Sequence, residues 1–146
     1  MRDSQKKDWK RIVYGILFAL ALLGILFLTL QSPAGTLKLS RVVRLWLKGV
    51  GIKCKTHVIR KNAHLVEYFV LGIVLSLYGR QAAWKRTTVL ISGSVIGLLD
   101  ECLKVFLPTR EFEFDDWVRD CVGIVVAVLL FWIIQRFVIR HHKTQK

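Results

Sequence analysis

The chain has 146 residues, enough for one domain, and 53% of them are hydrophobic with a mean hydropathy of +0.43, an apolar share above that of ordinary soluble folds. Its 23 Lys and Arg against 10 Asp and Glu leave a formal charge of +13, which in a soluble protein would point to nucleic acid. Here the charges stand between apolar blocks, so the expected partners are membrane lipids with anionic headgroups, and no nucleic acid is expected.

The first apolar run, Ile12 to Leu30, follows a basic start (Arg2, Lys6, Lys7, Lys10, Arg11) and is closed by Gln31-Ser32-Pro33. Its 19 residues carry no charge and suffice to cross ~30 Å of hydrocarbon at ~1.5 Å per residue. A cleavable signal peptide has a shorter apolar region ending at small residues, so a retained helix is expected. The next segment, Thr36 to Ile52, sets Leu39, Val42, Val43, Trp46 and Val50 at helical spacing among Lys38, Arg41, Arg44 and Lys48. That pattern predicts an amphipathic helix, lying in the membrane interface or packed on the bundle as a loop helix. Lys53 to Arg60 then reads as a polar linker.

Three more spans follow, at about 63–79, 87–107 and 117–138, separated by Gly79-Arg80 … Lys85-Arg86 and by Pro108-Thr109-Arg110. The expected fold is therefore all-α: a four-transmembrane-helix bundle, residues 1–146 forming one membrane domain, with the interfacial helix between the first and second spans. Two spans look defective. The second is short and holds His64 and Glu67, and the third carries Asp100, Glu101 and Lys104 near its end. With both termini cytoplasmic, 12 of the Lys and Arg fall inside and 11 outside. The margin is thin, and the basic entry to the first helix selects this orientation.

Antiparallel alternation brings these polar residues to one membrane face. By ~1.5 Å per residue, Glu67 lies ~9 Å beyond Lys61, Asp100 ~12 Å before Pro108 and Asp120 ~8 Å after Asp115, all at similar depth. His64, Glu67 and Tyr68 share one helix face, Asp100 and Lys104 another, and Asp116 and Asp120 a third that continues through Gly123 and Ala127. If these faces turn inward, they form an outward-opening pocket of His64, Glu67, Asp100, Glu101, Lys104 and Asp120, with Arg60, Lys61 and Arg110 about its mouth. A charge at the membrane centre costs ~2.5–3.5 kcal/mol on insertion scales, so such a group implies mutual pairing or a function. Blander roles compete: Asp115 or Asp116 as the N-cap of the last helix, Lys104 as a plain counter-ion to Asp100, and the small residues Gly93, Gly97, Gly123 and Ala127 as helix-packing positions. Cys54, Cys102 and Cys121 fit no zinc-binding spacing.

Arg60-Lys61-Asn62-Ala63-His64-Leu65-Val66-Glu67-Tyr68, then Leu99-Asp100-Glu101 … Phe106-Leu107-Pro108-Thr109-Arg110, then Asp116 … Asp120 … Gly123, resemble the ordered motifs of the VanZ family of bacterial membrane proteins. The resemblance runs from about Thr29 to Ala127 and includes Gln31-Ser32. It implies a small multi-pass protein of the bacterial cell membrane, a family whose founding member is associated with resistance to the glycopeptide antibiotic teicoplanin. His64, Glu67, Tyr68, Asp100, Glu101, Arg110, Asp116 and Gly123 stand at its motif positions. The chain has Lys104 where the family usually has Gln, Asp120 where Asn or Asp is common, and Thr109 for the usual Gly. A lysine beside Asp100 damps the pocket's negative charge, so neither a metal nor a cofactor is expected.

The expected function is engagement of an anionic lipid-linked or cell-wall ligand from the outer leaflet, influencing glycopeptide susceptibility. Arg60, Lys61, Tyr68, Lys104 and Arg110 would bind it, and basic side chains suit phosphate or carboxylate. One alternative is an intramembrane enzyme using His64 or Glu67 with Asp100 or Glu101 as acid–base pair or metal site, Asp116 and Asp120 being further catalytic candidates. Another is a small transporter or proton relay. No GxSxG, HExxH or phosphate-loop signature is present to name a reaction.

Overall fold

The computed structural model of the chain describes residues 2–52, 54–108 and 110–144. It consists of five helices, α1 (Arg2–Leu30), α2 (Pro33–Gly49), α3 (Thr56–Gln81), α4 (Arg86–Lys104) and α5 (Phe114–Thr144), with no strand among the described residues.

Each boundary has a local cause. The chain leaves α1 at Gln31 and turns at Ser32, whose extended backbone and side chain cap α2: Ser32 Oγ accepts from the amide of Gly35 at 3.3 Å, and Pro33 begins the helix. Proline suits a first turn because its missing N–H would have no helical partner there. α3 closes on a turn in which Trp84 N–H donates to Gly79 O at 2.8 Å and Ala83 takes φ 57°, the left-handed cap position that glycine usually fills. α5 starts at Phe114, so Asp115 and Asp116 lie inside its first turn and neither is its N-cap. Their charge still favours the positive end of the helix dipole.

The segment expected as a polar linker corrects the sequence reading. Beyond Lys53, which lies outside the described residues, Thr56 to Arg60 already belong to α3. No glycine or proline stands between Gly51 and Gly72, so nothing in the backbone stops the helix from starting early. Its polar first turns precede the apolar run, and α3 gains the length the second span lacked.

Among the described residues, three helices are long and apolar enough to cross a membrane: Asp8–Leu30 in α1, Lys61–Gln81 in α3 and Phe114–Val138 in α5. α4, with 19 residues, reaches ~28 Å but carries Arg86 at one end and Asp100, Glu101 and Lys104 at the other, and is not among the three. α3 is the central element, packing along α5 and also against α1, α4 and α2. A Cβ on Gly123 would meet Leu65 O at 2.5 Å and Phe69 N at 3.0 Å, and one on Gly72 would meet Ile124 Cα at 3.1 Å. The backbones of α3 and α5 thus touch at these two glycines, as small residues permit in membrane bundles.

Burial is inverted relative to a soluble protein. Leu23, Ile91, Val126 and many other aliphatic side chains face outward, while Thr29, Ser40, Ser76, Asp100, Glu101, Lys104, Asp116 and Asp120 are buried. A small apolar core of Ile25, Tyr68, Leu71, Leu75, Val89, Ile124 and Val128 lies between the helices. An outer surface of Leu, Ile and Val around a polar interior is stable when the surrounding solvent is hydrocarbon.

Candidate functional site

The buried polar residues converge at the end of the bundle where α3 and α5 begin and α4 ends. His64 stands at the centre, two turns into α3. Its Nε2 lies 3.6 Å from Asp116 Oδ2, and its Nδ1 lies 3.6 Å from Asp120 Oδ1 and 4.0 Å from Glu67 Oε2. Helical spacing explains the set: Glu67 follows His64 by three residues on α3, and Asp116 and Asp120 lie one turn apart on the facing side of α5. Gly123, one turn further, brings α5 close enough for these contacts.

α4 contributes the second half. Lys104 Nζ donates to Glu101 Oε1 and lies 3.5 Å from His64 Nε2. Glu101 Oε2 also accepts from the amide of Glu113 at 3.2 Å. Lys104 therefore pairs with Glu101, three residues before it, and not with Asp100 at four. Asp100 points towards α1 instead, where Thr29 Oγ1 donates to its Oδ1 at 2.5 Å. Glu101 and Asp120 are wholly buried and Lys104 nearly so. A pair this deep is held by the cost of leaving either partner alone more than by any net gain from forming it.

Above these groups opens a cavity of about 500 Å³ lined by His64, Glu67, Lys104, Arg110 and Asp116 among its polar residues. Leu28, Leu39, Val43 and Ile59 supply an apolar wall. Asp100, Glu101, Tyr68 and Asp120 are buried and are not among the lining residues. Tyr68 Oη, His64 Nδ1, Asp100 Oδ2 and both carboxylate oxygens of Asp120 are buried without a hydrogen-bond partner in the protein.

Arg110 is tied into the scaffold as well as the cavity. Its Nη2 donates to Gln31 O at 2.8 Å, Thr36 Oγ1 at 3.0 Å and Leu28 O at 3.4 Å, clamping the loop before α5 to the α1–α2 junction. Arg119 Nη1 donates to Asp116 Oδ1 at 2.9 Å. Lys61 is half-buried but does not line the cavity. Arg60 is placed in α3 by its backbone, and its side chain lies outside the described residues.

Sequence reasoning missed Thr29 and the contributions of α2, whose Thr36, Leu39, Ser40 and Val43 line the cavity. The only local signal was Gln31-Ser32 next to a helix end, since nothing in an amphipathic pattern says which side folds back over a neighbouring site. Among the described residues, one group of side chains has donor atoms close enough to hold a metal ion: His64, Glu101 and Asp116, mutually within 4.8 Å. Lys104 stands against two of them.

The chain matches the family model described as VanZ/LLP1 over residues 13–135. No curated protein and no solved structure matches it. That match takes in α2, α3 and α4 whole, with most of α1 and of α5, and every polar residue of the cluster lies inside it. With three membrane-length helices around an inverted core, the chain belongs to the VanZ/LLP1 family and is a VanZ-like membrane protein.

Proposed function

We propose that the protein is a multi-pass component of the bacterial cell membrane, residues 1–146 acting as one domain with four crossings and both termini in the cytoplasm. α4 makes the fourth crossing, its acidic end shielded by α3 and α5 from the lipid. The cavity then opens to the outer leaflet. There it engages an anionic lipid-linked or cell-wall ligand and so influences glycopeptide susceptibility, teicoplanin included.

The observation that carries this reading is the make-up of the cavity. Cationic Lys104 and Arg110 face an apolar wall of Leu28, Leu39, Val43 and Ile59 across about 500 Å³, a combination that suits an amphiphile with a phosphate or carboxylate head and a hydrocarbon stem. α2 adds attachment: Val42, Leu45 and Trp46 are exposed beside exposed Arg41, Arg44 and Lys48, a surface suited to anionic headgroups.

The test is mass spectrometry of lipids and cell-wall precursors copurified with the unaltered protein and with His64→Ala. An anionic, membrane-anchored species enriched on the former and depleted on the latter is expected. Equal lipid profiles on two folded proteins would overturn the reading.

A second reading, an intramembrane enzyme, is favoured by one arrangement. Asp120 lies 3.6 Å from Nδ1 of His64, a residue that lines the cavity, the disposition in which a buried carboxylate orients an imidazole as general base. The acid–base partner of His64 would then be Asp120 or Asp116 before Asp100 or Glu101.

A further inference from the structure

His64, Glu101 and Asp116 come from three different helices, and their donor atoms lie within 4.8 Å of one another. An imidazole and two carboxylates at that spacing make a ligand set for a divalent transition ion. In this chain a cation already stands against two of them. The Lys104 ammonium is bonded to Glu101 and lies 3.5 Å from His64 Nε2, and its side chain is 5% exposed. A divalent ion held by the same three donors would sit within a few ångströms of a fixed positive charge in a poorly polarisable interior, where repulsion is strong.

We infer that Lys104 is this site's own cation: a tethered ammonium held by Glu101 and His64 that excludes a divalent metal ion and binds the anionic ligand in its place. An ammonium has three N–H donors and no acceptor. Glu101 takes one and His64 Nε2 stands in line for a second, which leaves one for the cavity that Lys104 lines. His64 and Glu101 are therefore positioning residues for Lys104. The anion-binding half of this inference rests on the proposed function, and the metal-excluding half stands on the geometry alone.

The test has two arms on the full chain purified in detergent. In the first, the chain is equilibrated with Mn²⁺ or Zn²⁺ and bound metal is measured. The unaltered protein is expected to retain none stoichiometrically, whereas Lys104→Gln binds with ~100-fold or more higher affinity and loses that binding again when Asp116→Asn is added. Stoichiometric, His64-dependent metal in the unaltered protein would overturn the inference, a measurement that needs no variant of Lys104 to fold. So would a folded Lys104→Gln that gains no affinity. Lys104→Met, of similar length and without charge, repeats the comparison should Lys104→Gln not accumulate.

In the second arm, thermal stabilisation by dodecyl phosphate is measured with and without EDTA, with inorganic phosphate in parallel to separate headgroup chemistry from the chain. Stabilisation that survives EDTA in the unaltered protein and falls ~10-fold or more in apparent affinity with Lys104→Gln is expected. Stabilisation abolished by EDTA overturns the inference. No stabilisation in any condition counts against the proposed ligand and leaves the metal arm to decide Lys104.

Discussion

The two ends of the bundle treat charge in opposite ways. At the end holding the large cavity, five carboxylates, one imidazole and the cations of Lys104, Arg110 and Arg119 are brought together across α1, α3, α4 and α5, most of them buried. At the other end a smaller cavity of about 270 Å³ is lined by Arg80, Trp84, Arg86, Trp132 and Gln135, with no carboxylate among its lining residues. The guanidinium groups of Arg86 and Arg136 lie 4.8 and 4.5 Å from the Trp132 ring, and Tyr78 meets Trp84 edge-on at 5.5 Å. One end settles its charges inside the protein, where pairing must be exact in geometry because the medium offers no substitute. The other leaves cations of one sign at the surface among aromatic rings, as in a headgroup region. The first is built like a site and the second like an anchor.

Neutralising the site should have the largest effect. His64→Ala, Glu67→Gln and Asp116→Asn are each expected to abolish any glycopeptide-resistance phenotype while the protein still inserts. Pairs of them should add little, since groups acting as a unit are strongly non-additive. Teicoplanin susceptibility measured beside membrane abundance decides this. Loss of phenotype that only tracks abundance would make both ends structural.

The sidedness of the comparison is an all-or-none matter. Cys54, half-buried just before α3, should react with a membrane-impermeant thiol reagent added to intact cells, and a cysteine introduced by Lys85→Cys should not. The reverse pattern would turn the cavity towards the cytoplasm.

Within the site, Glu101→Gln should lower stability by ~3–5 kcal/mol because it leaves the Lys104 ammonium buried and unpaired. Adding Lys104→Met should restore much of the loss. Thermal unfolding in detergent of the two single variants and the double completes the cycle, and additive losses would refute the pairing. At the helix contact that assembles the site, Gly123→Ala puts a Cβ into the backbone of Leu65 and Phe69. Separating α3 from α5 there should cost ~1–3 kcal/mol, read as a lower melting temperature with the His64 interactions weakened. The smallest effect is expected at the anchor: Trp132→Leu should cost ~0.5–1 kcal/mol for each cation–π interaction it removes and leave susceptibility unchanged.

Much of the site was legible because helices translate sequence distance into depth. Glu67, Asp100 and Asp120 share a level by the rise per residue alone, and the 64/67/68 and 116/120 groupings follow from the helical repeat. The partners were less so. Lys104 satisfies the spacing rule with Asp100 and with Glu101 equally, and only the rotation of α4 against α1 and α3 sends Asp100 to Thr29 and Lys104 to Glu101. Asp116, read as one possible helix cap, is instead in the first turn of α5 beside His64 and Arg119. The early start of α3 was hidden because polar first turns resemble a linker when only hydropathy is weighed.

By itself, then, the sequence determined that the chain lives in a membrane, that it is helical throughout, and that the ionisable residues within its later spans gather at one end. These follow from run lengths, a repeat of ~3.6 residues and alternation of direction, none of which needs a contact between helices. The tertiary structure decided which carboxylate meets which cation, that α1 supplies Thr29, that α2 walls the cavity, and that Lys104 stands against two of three would-be metal ligands. Those depend on the rotation and separation of packed helices, set by backbone contact at Gly72 and Gly123, and no local periodicity encodes them.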